Sequence, residues 1–163
     1  MDQSFKEDLW KQFGATIDMF ENSINACPDE LWDTDKKFWY NAYHTLFFLD
    51  YYLSDDPEKF SPPSPYTLSE FNPDGEMPER TYTKDELLKY LAHCRNKCHD
   101  LIAGLNDENF NRRFISQYKN YSLLEMLIYN LRHVQHHVGQ LNMLLRQGAD
   151  IGSGWVSQTK ISL

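Results

Sequence analysis

Apolar residues recur along much of this chain at intervals of three and four, the spacing that lines one face of an α-helix. Leu9, Phe13, Ile17, Phe20 and Ile24 do so first. They predict a helix over about residues 4–24, capped by Asp2 or Ser4. A second helix is expected over about 35–53, with Thr34 or Asp33 as its cap. Its stretch FWYNAYHTLFFLDYYL is apolar around much of its circumference, and a helix of that kind is usually surrounded by protein. Thr83 followed by Glu86 opens a third helix over about 84–105 with a capping-box pattern. Leu87, Leu91, Cys94, Cys98, Leu101 and Leu105 fall along its inner side. Ser122 and Glu125 repeat the signature for a fourth helix over about 123–147, with Gly148 as its expected terminator. No segment alternates convincingly with the two-residue period of a strand.

Residues 54–82 hold most of the seven prolines and read as a long ordered crossing. Connections above about fifteen residues are uncommon in compact domains and often shape an active site or span a bundle end. Phe60, Tyr66 and Phe71 are the apolar anchors with which this one could roof a pocket. The tail from Gly148 ends in the apolar ISL, with Trp155 as a candidate anchor. Four amphipathic helices must bury four apolar stripes, so the expectation is an all-α four-helix bundle forming a single domain over 1–163. The long connections leave simple up-down-up-down connectivity unassured.

Charge narrows the partners. Sixteen basic and twenty-four acidic side chains give a net charge of −8, which repels phosphate backbones and anionic headgroups, so neither nucleic acid nor membrane is expected as a partner. No run approaches the roughly eighteen apolar residues of a membrane span. The opening MDQSFKEDLW lacks the basic-then-apolar order of a signal peptide. The three cysteines, an odd count, make a complete intramolecular disulfide framework impossible. The expected location is the cytoplasm.

The chemistry concentrates in LRHVQHHVGQLNMLLRQ, residues 131–147. At about 100° per residue, Leu127, Leu131, Val134, Val138, Leu141 and Leu145 define an apolar face, His137 and His133 lie about 60° and 100° to one side of Val134, and His136 points nearly opposite. His133 and His137 therefore form an i,i+4 pair at the core border, the spacing at which helical zinc sites place two imidazoles. Half a site is also what two partly buried histidines with backbone or tyrosine partners would present. His44 adds a third ring inside an aromatic stretch and beside Tyr40, Phe48 and Tyr51. A polar ring there needs a partner, which a tyrosine could also provide. His93 and His99 lack an i,i+4 histidine partner. Cys94 and Cys98 read as core residues, since free cysteine usually packs as a small hydrophobe.

The His in NAYHTLFFLDYYL, followed on a later helix by NLRHVQHHVGQL, resembles the DinB/YfiT-like superfamily of four-helix-bundle metalloproteins. The resemblance covers nearly the whole chain. It implies an up-down-down-up bundle with two long crossings, often a homodimer, in which His44, His133 and His137 bind one divalent metal ion. His137-Val138-Gly139-Gln140 stands where the family often has His-Arg-Gly-Gln, so the chain departs at Val138 and any basic substrate contact there is lost. His136 is not at a usual ligand position. Zinc is the first expectation for the ion and nickel the second, since imidazole suits both.

Three neutral imidazoles leave a coordination position open, as in a Lewis-acid site. That position suits a thiolate or an activated water. The family includes thiol S-transferases using low-molecular-weight thiols, mycothiol-dependent isomerases and proteins described as hydrolases. The expectation is thus a metal-dependent enzyme acting on a small molecule, thiol transferase first and hydrolase second, with a non-catalytic metal-binding bundle as the remaining alternative. No catalytic acid or base is identified: the ligand stripe carries no carboxylate. Asn41 and Asn130, each one turn before a histidine, could orient an imidazole or touch substrate, and Tyr40 and Tyr51 could line the pocket.

Overall fold

The computed structural model describes residues 1–163 and is mostly helical. Five α-helices run in order: α1 Gln3–Ala26, α2 Asp29–Trp32, α3 Phe38–Tyr52, α4 Lys84–Ala103 and α5 Leu123–Ala149. The caps expected for three of them form. Asp2 Oδ1 accepts from the Ser4 amide at the start of α1, Thr83 and Glu86 make both halves of a capping box at α4, and Ser122 accepts from the Glu125 amide at α5. Each satisfies helix-end amides that would otherwise lack partners.

Helices α1 and α3 each pack against both α4 and α5. Their shared core contains Phe13, Ile17, Phe20 and Ile24 of α1, Leu46 and Phe47 of α3, Leu87 and Leu91 of α4, and Val134, Val138 and Leu141 of α5, all buried. The periodicity that defines the helices is thus also the periodicity that fills the centre. At the periphery, Arg95 of α4 donates to Asp18 at 2.5 Å and Glu21 at 2.8 Å on α1.

Several boundaries depart from the sequence reading for identifiable reasons. The second long helix starts at Phe38, and Lys37 at φ 52° precedes it; neither Thr34 nor Asp33 caps it. Asp33 has other partners: one oxygen accepts from Trp39 Nε1 and Lys37 Nζ, the other from Thr81 Oγ1, which ties the start of α3 to the end of the crossing. Helix α4 stops at Ala103, followed by Gly104. Gly148 is inside α5 and does not terminate it. A Cβ there would come 2.6 Å from Leu31 Cδ1, so glycine lets α2 approach, and Asp150 at φ 56° ends the helix.

Two three-residue strands, β1 Arg113–Ile115 and β2 Asn120–Ser122, pair antiparallel with Phe114 opposite Tyr121. They are too short for alternation to register, so the sequence reading missed them. The C-terminal tail is held by Thr159, whose amide donates to Lys11 O and whose side chain faces Gly14. Ile161 O accepts from Trp10 Nε1 at 2.8 Å. Trp155 is 77% exposed and anchors nothing. No helix is long and apolar enough to cross a membrane.

Candidate metal centre

Helices α3 and α5 pack side by side, and their shared seam carries the three histidines that the sequence singles out. One nitrogen from each of His44, His133 and His137 falls within 4.8 Å of the others. The ring centroids stand 4.8 Å apart for His44 and His137, 4.6 Å for His133 and His137, and 5.7 Å for His44 and His133. His136 is exposed and is not part of the cluster. His93 lies near Asp50, and His99 packs edge-on against Trp10.

Two of the three rings are oriented by groups on their far side. Glu70 Oε2 lies 2.5 Å from His44 Nδ1, and Gln140 Oε1 lies 2.7 Å from His137 Nδ1. A carboxylate or amide oxygen only accepts, so Nδ1 carries a proton in both rings and Nε2 is the nitrogen left to face a cation. This is the outer hydrogen bonding that metal-binding histidines usually have. His133 differs: its Nδ1 is buried without a hydrogen-bond partner. Burial first, then the neighbouring imidazoles, pushes His133 down to about 3 and His137 to about 4. Both are therefore neutral at physiological pH, with nitrogens able to donate to a cation.

The donor set fits a divalent ion. Three imidazoles with a buried orphan nitrogen satisfy one another poorly, because two rings facing each other with lone pairs gain nothing without a shared electrophile. Such a group could hold zinc or a similar borderline metal.

Glu70 is the functional residue that sequence reading missed. It lies in the crossing, 26 positions after His44, where no periodicity links them. Its neighbour Phe71 supplies the reason it reaches the site. Phe71 packs edge-on against Phe47 and Tyr51, each at 4.9 Å between centroids, and Phe60 joins the same two rings at 5.3 Å. The crossing is thereby laid on α3 next to His44. Tyr66, the third expected anchor, instead stacks on Tyr90 at 4.2 Å. The Glu70 side chain is 3% exposed and its Oε1 has no partner. Tyr40 sits beside it, its phenol pushed up to about 12 by burial and then by the Glu70 charge.

The remaining candidates serve the scaffold. Asn130 donates to Leu49 O at 3.0 Å, fastening α5 to α3 one turn from His133. Asn41 donates to the carbonyls of Lys36 and Lys37 at the start of α3. Tyr51 belongs to the aromatic packing under the crossing. Phe48 and Tyr52 line the cluster, with centroids 4.9 Å from His44 and 5.7 Å from His133 respectively. Cys94 and Cys98 are completely buried, and burial holds both thiols well above their usual range, so neither offers a thiolate.

Neither a curated protein nor a solved structure matches the chain significantly. A comparison with protein-family models matches residues 12–141, which include all three histidines and the greater part of the helices packed around them, to the DinB superfamily. With the mostly helical fold and the histidine trio that could hold a metal ion, that match over most of the chain places this protein in the DinB superfamily.

Proposed function

We propose that the protein is a metal-dependent enzyme holding one divalent ion, zinc first, on His44, His133 and His137, within the up-down-down-up helix order of its family. It transfers a low-molecular-weight thiol to a small electrophile. The observation that carries this is the convergence of three imidazole nitrogens with no carboxylate among them. When bound, the ion supplies an open Lewis-acid position whose uncompensated charge favours an anionic sulfur ligand. Glu70 and Gln140 fix two of the imidazole orientations, and Phe48 and Tyr52 wall the position and weaken competition from water.

Hydrolysis is the second reading, since an open position on three imidazoles would equally hold an activated water. Cobalt-substituted protein separates the two. The transferase reading expects a sulfur-to-metal charge-transfer band on titration with cysteine or glutathione, and thiol-dependent consumption of an electrophile. Metal-dependent ester or amide cleavage that needs no thiol, with no such band, overturns it in favour of hydrolysis. Full occupancy with neither response points to the non-catalytic alternative.

A further inference from the structure

On the flank of α5 next to His133 lies a groove of about 540 Å³, bordered by Tyr129, Arg132, His133, Gln135 and His136. It continues past Tyr129 and Arg132 into a second hollow of about 360 Å³ that reaches Ile128 and Glu125. Arg132 borders both. Arg80, Arg95 and Arg112 are each paired with a carboxylate, whereas Arg132 has neither an ion-pair nor a hydrogen-bond partner.

A second uncommitted cation enters from the hairpin. Lys119 sits in the β1–β2 turn, half-buried. Its Nζ lies 5.4 Å from the centre of the Tyr52 ring and 5.2 Å from that of Tyr129, with no carboxylate in reach. Tyr52 in turn packs edge-on against His133. The two cations thus share Tyr129, Lys119 over its ring and Arg132 along the groove beside His133. In a chain of net charge −8, this is a local reversal of sign. Glu125, at the far end of the second hollow, is the one acid on this rim, while Glu70 is engaged by His44.

Two unpaired cations and a bound divalent ion outweigh the Glu70 carboxylate beside His44 and would leave net positive charge along this flank. Such a field attracts and orients anions, and acts more strongly beside low-dielectric walls than in open water. From this juxtaposition we infer that the substrate, or the thiol that joins it, is a small organic anion whose carboxylate is recognised by Lys119 and Arg132. Tyr129, which lines both hollows, flanks its carbon skeleton. The inference rests on the metal-site reading above and specifies which ligands that site selects.

The test uses zinc-loaded protein and two thiols of matched length, 3-mercaptopropionate and 3-mercaptopropan-1-ol, titrated calorimetrically at low salt. Elemental analysis accompanies every sample. The expected result is tighter binding of the anionic thiol, with its advantage over the neutral one falling by roughly tenfold in the Lys119→Met, Arg132→Gln double variant, the size of a lost charge-assisted contact. The neutral thiol should bind wild type and variant alike, and zinc content should stay at about one per chain. An advantage that survives both substitutions means that the carboxylate chelates the ion, and it overturns the subsite while leaving the metal site standing. Equal affinities in the unsubstituted protein, or no binding of either thiol to the loaded protein, overturn the subsite as well. A protein that takes up no zinc overturns the metal reading and the subsite together.

Discussion

Helix α3 carries a polar cluster on each of two sides, and the two are built on opposite principles. Toward α4, the Asp50 carboxylate, 1% exposed, accepts from Lys97 Nζ at 2.6 Å and from Tyr90 Oη at 3.0 Å, with His93 at 3.7 Å. Charge meets charge, and both carboxylate oxygens have partners. The cavity of about 590 Å³ beside it is lined by Lys97 and Arg112, both already paired, the latter with Asp55. Toward α5, three imidazoles converge with a single carboxylate, Glu70, beside one of them, and His133 Nδ1 and Glu70 Oε1 are buried without partners. A buried polar group left unsatisfied costs about 1–3 kcal/mol, so the second cluster is destabilising by itself. The first is complete within the chain and holds helices together; the second is left open, as a group that could hold an ion.

If that distinction is right, the largest effect of any substitution is loss of the ion from the open cluster. His44→Ala, His133→Ala and His137→Ala should each reduce metal content from about one divalent ion per chain to well below stoichiometric, read by elemental analysis of protein purified without chelator. Full occupancy in His133→Ala would break the comparison at its root.

The closed cluster predicts the reverse pattern, a loss of stability with metal retained. Removing one partner of a buried ion pair costs about 3–5 kcal/mol. Lys97 is 29% exposed and can recover some hydration, so about 2 kcal/mol is expected for Asp50→Ala. Denaturant titration measures it, and metal content should not change. A variant that keeps its stability and loses its ion would mean that the Asp50 cluster supports the metal site and is not an independent fastening.

Between these lies Glu70, which belongs to the open cluster without being a candidate ligand. Glu70→Gln keeps an acceptor for His44 Nδ1 and removes the charge. Outer-shell partners of this kind are worth roughly tenfold or more in metal affinity. Chelator competition should show weakening of about that size, with one ion per chain retained at saturation. Unchanged affinity would mean that Glu70 only secures the crossing.

Glu70 also marks the limit of what the sequence discloses. The four long helices are legible because burial imposes a period on each and because Thr83–Glu86 and Ser122–Glu125 announce two of the starts. The histidine trio is legible for a related reason: an i,i+4 pair and one polar ring in an aromatic helix are departures from a regular pattern. Contacts created by tertiary approach leave no such local trace. Gly148 looks like a helix terminator until Leu31 is seen against it, and Asp33 looks like a cap until Trp39 and Thr81 take its oxygens. Lys119 comes over the rings of Tyr52 and Tyr129 only through a turn between strands three residues long. Glu70 reaches the site only because Phe71, the next residue, is held by aromatic rings on α3.

Acid should act on the open cluster more than on an ordinary surface. In the metal-free folded protein, His133 is held near 3 and His137 near 4, against about 6.5 for an unfolded imidazole. The unfolded chain therefore binds protons that the folded one refuses. The stability these rings contribute is fully present above about pH 6.5 and is lost as pH falls through the window toward 3. For the more buried His133, after discounting for partial exposure, the slope is about 1 kcal/mol per pH unit. Thermal melts of chelated protein between pH 7 and 5 should show it, and His133→Phe should flatten it. A slope unchanged in that variant would assign the acid sensitivity elsewhere.

The smallest expected effect belongs to His136, which sharpens the comparison because it lies next to His137 in sequence and is excluded from the cluster by angle alone. It comes two positions after Val134, about 200° around the helix, and its side chain is exposed, although its ring stands 5.1 Å from that of His137. Proximity is thus not the criterion; direction is. His136→Ala should leave one ion per chain and change stability by less than about 0.5 kcal/mol, the usual range for a surface substitution. Loss of the ion in this variant, with retention in His137→Ala, would mean that the helix presents its other face to the metal. The open cluster would then have to be rebuilt around His136, with the helical phase of α5 revised from Tyr129 onward.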